Sequence, residues 1–152
     1  MAIDPIILKG EITADPKGMG YAALVASGSD GGIAALLNAQ TGPGVGTVTL
    51  PSLTKDQFLT ATAPFLPNLL TASPAIQAKW SVILDHLRAA DQLDFTNPAV
   101  LALIVAAVTD GLLTSGQASG LNQRNGSRAE VLFGAGSSVA SGDVSFAMRG
   151  TR

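Results

Sequence analysis

The 152-residue, 15.3-kDa chain is the size of one ordinary domain and is long enough to bury a core of its own. Hydrophobic residues make up 47% of it and charged residues only 13%, which excludes disorder, since a disordered chain has low hydrophobicity and high net charge. A net charge of -2 and a pI near 5.1 offer no attraction to nucleic acid or to an anionic membrane. With no cysteine, disulfides, thiolate metal sites and cysteine nucleophiles are all excluded.

From the N-terminus onward, capping patterns mark helix starts. Met1-Ala-Ile-Asp-Pro carries an acid where a secretion signal carries bases, so no targeting segment is expected. Asp4-Pro5 and Asp15-Pro16 each set a capping carboxylate before a proline whose fixed φ suits the first helical position. Tyr21–Val25 and Ile33–Leu37 read as short helical runs split by Ser27-Gly-Ser-Asp-Gly-Gly32, with Ser29 or Asp30 capping the second.

Thr41-Gly-Pro-Gly-Val-Gly46 is a loop, and Val45–Leu50 alternates weakly before Pro51, as a short extended arm would. Such an arm either orders against a neighbouring subunit or folds back on its own. Thr54-Lys-Asp-Gln57 is a capping box with Leu53 and Phe58 as its hydrophobic staple. The helix it starts is expected to end near Thr62, because Pro64 and Pro67 interrupt the pattern beyond it.

Ser73-Pro74 opens the most regular segment, Pro74–Leu93, in which Ile76, Trp80, Ile83, Leu84 and Leu87 recur at spacings of three and four. Trp80 and Leu84 are therefore predicted core residues. Asn97-Pro98 opens another helix, whose run Ala99–Val108 is too short for a membrane span of about 20 residues and predicts a helix buried on most of its faces. Ser127-Arg-Ala-Glu130 is a second capping box. The fold predicted is mainly all-α: a single domain over 1–152, with a small helical part at 1–40, a Gly/Pro loop or arm at 41–51 and a helical bundle at 52–152.

The motifs of catalysis fail one by one. His86 is the sole histidine, and its neighbour Asp85 points about 100° away on a helix, so the two form no dyad by themselves. No serine lies in Gly-x-Ser-x-Gly. With one histidine and two glutamates, Glu11 and Glu130, a metal site would need carboxylates gathered from distant segments. Gly42-Pro-Gly44-Val-Gly46 lacks the Gly-Lys-Ser/Thr ending of a phosphate loop, and Gly134-Ala-Gly136 lacks the third glycine of a dinucleotide fingerprint. No catalytic, cofactor-binding or metal-ligating residue is predicted, and no cofactor.

A surface with few charges must be covered by small and apolar side chains, and uninterrupted apolar surface marks contact sites. Subunit packing is thus the expected mode of action. Val45, Val48 and Leu50 of the arm are candidate interface residues, joined by Arg124, Arg128 and Arg149, since the arginine fork is favoured where protein surfaces meet.

Two segments carry a resemblance. Glu11-Ile-Thr-Ala-Asp15-Pro-Lys-Gly-Met-Gly20-Tyr-Ala with Ile33-Ala-Ala-Leu-Leu-Asn38, and Ser127-Arg-Ala-Glu-Val-Leu-Phe-Gly134 continuing to Asp143-Val, resemble small proteins encoded among the virion genes of tailed bacteriophages. Together they cover under half of the chain, and they read as fold signatures in which Asp15 caps, Gly134 stops a helix and Asp143 lies near the start of the last one. The resemblance implies a virion structural protein, made in the host cytoplasm and retained in the particle. Its expected partners are copies of itself and other virion proteins, with neither nucleic acid nor membrane among them. Two other classes stay open: a phage assembly factor or binding module absent from the particle, and a small hydrolase using His86.

Overall fold

The computed structural model describes residues 2–150. The chain is 59% helical, with ten helices and four short strands among the described residues. It divides into two compact units: a terminal unit formed by the residues up to Thr49 together with those from Arg124 onward, and an inserted unit, Leu50–Gln123. This differs from the expected single domain with a bundle over 52–152. The reason lies in where the apolar faces meet: the first and third helices bury theirs on the last two helices of the chain.

The terminal unit begins with α1 (Pro5–Ala14), started as expected by Asp4, whose Oδ1 accepts from the backbone N–H of Ile6 at 2.8 Å and of Ile7 at 3.2 Å. Asp15-Pro16 does not start a helix. Asp15 instead ends α1 in the left-handed region at φ 42°, and its carboxylate closes the following loop by accepting from Met19 N at 2.6 Å and Gly20 N at 2.8 Å. α2 (Tyr21–Ala26) and α3 (Asp30–Asn38) come next. Ser29 occupies the N-cap position of α3 but makes no side-chain cap bond, and Asp30 lies in the first turn.

After the chain returns, α9 (Arg128–Phe133) starts with the predicted capping box and stops at Gly134, whose φ of 99° suits a residue without Cβ. α10 (Ser141–Arg149) has Asp143 in its first turn. Leu8, Ile12, Tyr21, Ile33, Leu37, Ala129 and Val144 form the core. Asn38 fastens the end of α3 to the segment before α10: its Nδ2 donates to the Val139 carbonyl at 2.8 Å and its Oδ1 accepts from Val139 N at 2.9 Å.

The helical content agrees with the mainly α expectation, and four short strands among the described residues keep the fold from being purely α. β1 (Gly46–Thr49) pairs with β4 (Gln123–Gly126). In the inserted unit β2 (Ser52–Thr54) pairs antiparallel with β3 (Gln92–Asp94), placing Leu53 opposite Leu93. The helix predicted over Pro74–Leu93 is accordingly shorter: α6 (Pro74–Ala89) ends before the strand, and Leu93 is buried from β3.

The capping box of Thr54 and Gln57 starts α4 (Lys55–Ala61), which ends at Thr62, and α5 (Phe65–Thr71) is a separate short piece. α7 (Pro98–Thr109) and α8 (Ser115–Gly120) complete the unit. Its core gathers Leu53, Phe65, Trp80, Leu84, Leu112 and Leu121. Trp80 is 2% exposed, meets Phe65 edge to face at 5.3 Å, and donates from Nε1 to Asp110 Oδ2 at 2.7 Å. α7 departs from expectation: Ala107 alone is fully buried, while Leu101 and Val105 are 47% and 64% exposed. No helix among the described residues is long and apolar enough to cross a membrane.

Candidate functional site

Two buried glutamates organise the terminal unit. Glu11 on α1 receives Arg128 from α9 through both ends of the guanidinium, Nε to Oε1 at 2.9 Å and Nη2 to Oε2 at 2.7 Å. Both side chains are nearly sealed from solvent. Tyr21 OH lies 3.5 Å from Glu11 Oε1. Burial, then the charges of Glu11 and Asp15, push the Tyr21 phenol above its usual range.

Glu130 is held from several directions. Arg124 donates to both carboxylate oxygens, Ser127 N donates at 3.0 Å, Gly136 N at 2.8 Å and Gln40 Nε2 at 3.3 Å. The Arg124 guanidinium, overriding burial and helped by the Gly136 and Ser127 amides, keeps this carboxyl well below the ordinary carboxylate range. Glu130 therefore remains ionised near neutrality and is a structural acceptor, with no proton to give there. Tight approach of the backbone completes the arrangement. A Cβ on Gly126 would come within 2.8 Å of both Val48 methyls and 3.0 Å of Glu130 Oε2.

The residues singled out from the sequence divide between these structures. Arg128 is turned inward onto Glu11, and Arg124 onto Glu130 with its side chain part-exposed. Arg149 pairs with Asp30 and remains half exposed. Each fork is thus engaged inside the chain, and Arg128 differs most from the surface residue expected of it. Val48 is buried, Val45 is half-buried, and Leu50 is half-buried against the core of the inserted unit. Val48 is thus covered by residues of its own chain, and Leu50 packs on the inserted unit.

His86 is exposed in the last turn of α6, and Asp85 faces Arg88 at 3.4 Å. Among the described residues no group of three or more His, Asp or Glu is placed to hold a metal ion. The inserted unit contains a small apolar pocket between Phe58, Phe65, Trp80, Leu84, Ile104 and Leu121. Thr62 also lines it, but its hydroxyl donates to the Phe58 carbonyl at 2.7 Å and offers nothing inward.

The sequence gives no local sign of the roles of Glu11 and Asn38. Glu11 follows Lys9-Gly10 and has no apolar run around it to mark it as buried. Comparison with protein-family models, with curated proteins and with solved structures finds no match for this chain.

Proposed function

We propose that the chain is a non-enzymatic structural component of a tailed-bacteriophage virion, in the tail or neck, acting by packing against copies of itself and other virion proteins. One observation supports the reading most directly. The residues that carry the resemblance are those that close the terminal unit: Glu11 and Arg128 pair, Asp15 and Gly134 end helices, Tyr21 is core, Asn38 clamps Val139, and Glu130 anchors its loop. On this reading the resembling segments serve as a scaffold, with charged groups neutralised in place.

Mass spectrometry of purified particles tests this reading. Presence of the chain at several copies per particle is the expected result, and absence from intact particles would transfer the role to an assembly factor. His86→Gln is expected to leave incorporation and infectivity intact. Loss of infectivity with normal folding and incorporation would instead point to chemistry at His86.

A further inference from the structure

Leu50–Gln123 has the attributes of a folding unit in its own right. All its core side chains, among them Leu53, Trp80, Leu84 and Leu112, come from within the segment. It is longer than the roughly 40 residues below which a chain seldom folds without help. Its ends are fastened to each other: Leu50 N donates to the Asn122 carbonyl at 2.7 Å, and Asn122 Nδ2 donates to the Leu50 carbonyl at 2.9 Å.

The terminal unit is equally self-sufficient. Its core joins Leu8, Tyr21, Ile33 and Leu37 from one chain segment to Ala129, Phe133 and Val144 from the other. The strands at which the chain leaves and returns, β1 and β4, are paired with each other. A segment whose ends meet at paired strands is the geometry in which insertions are tolerated.

We propose that Leu50–Gln123 is a self-folding module inserted at the open end of the β1–β4 pair, with a stability of its own. The segments resembling phage virion proteins, Glu11–Ala22, Ile33–Asn38 and Ser127–Val144, all fall in the terminal unit. Resting on the virion reading, this assigns retention in the particle to the terminal unit, independently of the inserted module.

Separate reporters make the test direct in the full-length protein. Trp80, the sole tryptophan, reports the module by fluorescence, and the Leu37 amide resonance reports the terminal unit. Leu84→Ala is expected to lower the Trp80 urea midpoint by roughly 1–2 M and leave that of Leu37 in place. Ile33→Val is expected to do the reverse on a smaller scale. Movement of both transitions together in either variant would overturn the module.

Incorporation of the same full-length variants into particles tests that assignment. Leu84→Ala is expected to be incorporated at the wild-type level and Glu11→Gln to be reduced at least several-fold. Equal loss of both would overturn it. Absence of the wild-type chain itself from particles would count against the virion reading, and the urea transitions would still decide the module.

Discussion

Arg128 meets Glu11 across 117 positions of sequence, with both hydrogen bonds under 3 Å and both side chains nearly closed to solvent. The pair ties the first helix of the chain to the ninth, on either side of the inserted unit in sequence. A buried pair contributes little beyond a well-packed apolar replacement, because desolvation offsets most of the attraction, yet breaking it leaves one charge uncompensated.

Glu11→Gln is therefore expected to destabilise the terminal unit by about 3–5 kcal/mol. The double variant Glu11→Leu with Arg128→Met should recover most of that loss. Urea unfolding of Glu11→Leu, Arg128→Met and the double variant gives the coupling directly, and additive losses would show that the two side chains act separately.

The local chemistry of the chain was legible wherever one segment decides it. Asp4, Thr54, Ser73, Asn97 and Ser127 cap as their spacing predicts, because an N-cap needs only the backbone of the next turn. Trp80 and Leu84 fall in the core as the stripe of α6 requires. Asp15-Pro16 misled because the same carboxylate that caps a helix also closes a loop, and the left-handed turn at Asp15 decided between them. β1 falls inside the weakly alternating run Val45–Leu50, but the other strands had no pattern to offer. β2 and β3 are three residues each, and β4 reads Gln-Arg-Asn-Gly, so pairing at a distance made them strands where propensity did not. Pairings such as Glu11 with Arg128 and Asn38 with Val139 join residues more than 100 positions apart, and no local spacing encodes them.

Glu130 gives the stability a defined dependence on acid. Its folded value lies below the ordinary value near 4.5, so the stabilisation is complete above that pH and is lost as pH falls from about 4.5 toward the folded value. Glu130→Gln cannot titrate. Its stability deficit relative to wild type is expected to be constant from about pH 6 to 8 and to shrink steadily below about pH 4.5. Denaturant midpoints of both proteins across that range check it, and a gap that widens in acid would show that Glu130 is not the group responsible.

Two glycines make opposite predictions. Gly126 faces the Val48 methyls and Glu130 Oε2 at distances a Cβ cannot occupy, so Gly126→Ala should cost about 1–3 kcal/mol by overpacking. Gly10 lies inside α1 with nothing within 4 Å of an added Cβ. Gly10→Ala should stabilise by about 0.5–1 kcal/mol, since alanine loses less backbone freedom in a helix. Thermal or urea unfolding of the two variants separates crowding from backbone entropy. Equal and small effects would mean that β1 and β4 do not approach as closely as the geometry has them.

The segment from Val45 to Leu50 tests whether the β1–β4 region is ordered before any assembly. An arm awaiting a neighbour would exchange its amide hydrogens at nearly the rate of an unstructured peptide in the isolated chain. The geometry predicts otherwise. Leu50 N is engaged by the Asn122 carbonyl at 2.7 Å, Val48 is 5% exposed, and its methyls fill the space beside Gly126. Val45 is held less firmly, with its amide in a short turn to the Gly42 carbonyl at 3.2 Å and its side chain half-buried. Hydrogen exchange on the isolated chain should therefore show the Leu50 amide strongly protected and that of Val45 weakly so. Fast exchange at Leu50, slowed only once the protein is assembled, would support the arm and make Val45, Val48 and Leu50 intersubunit contacts.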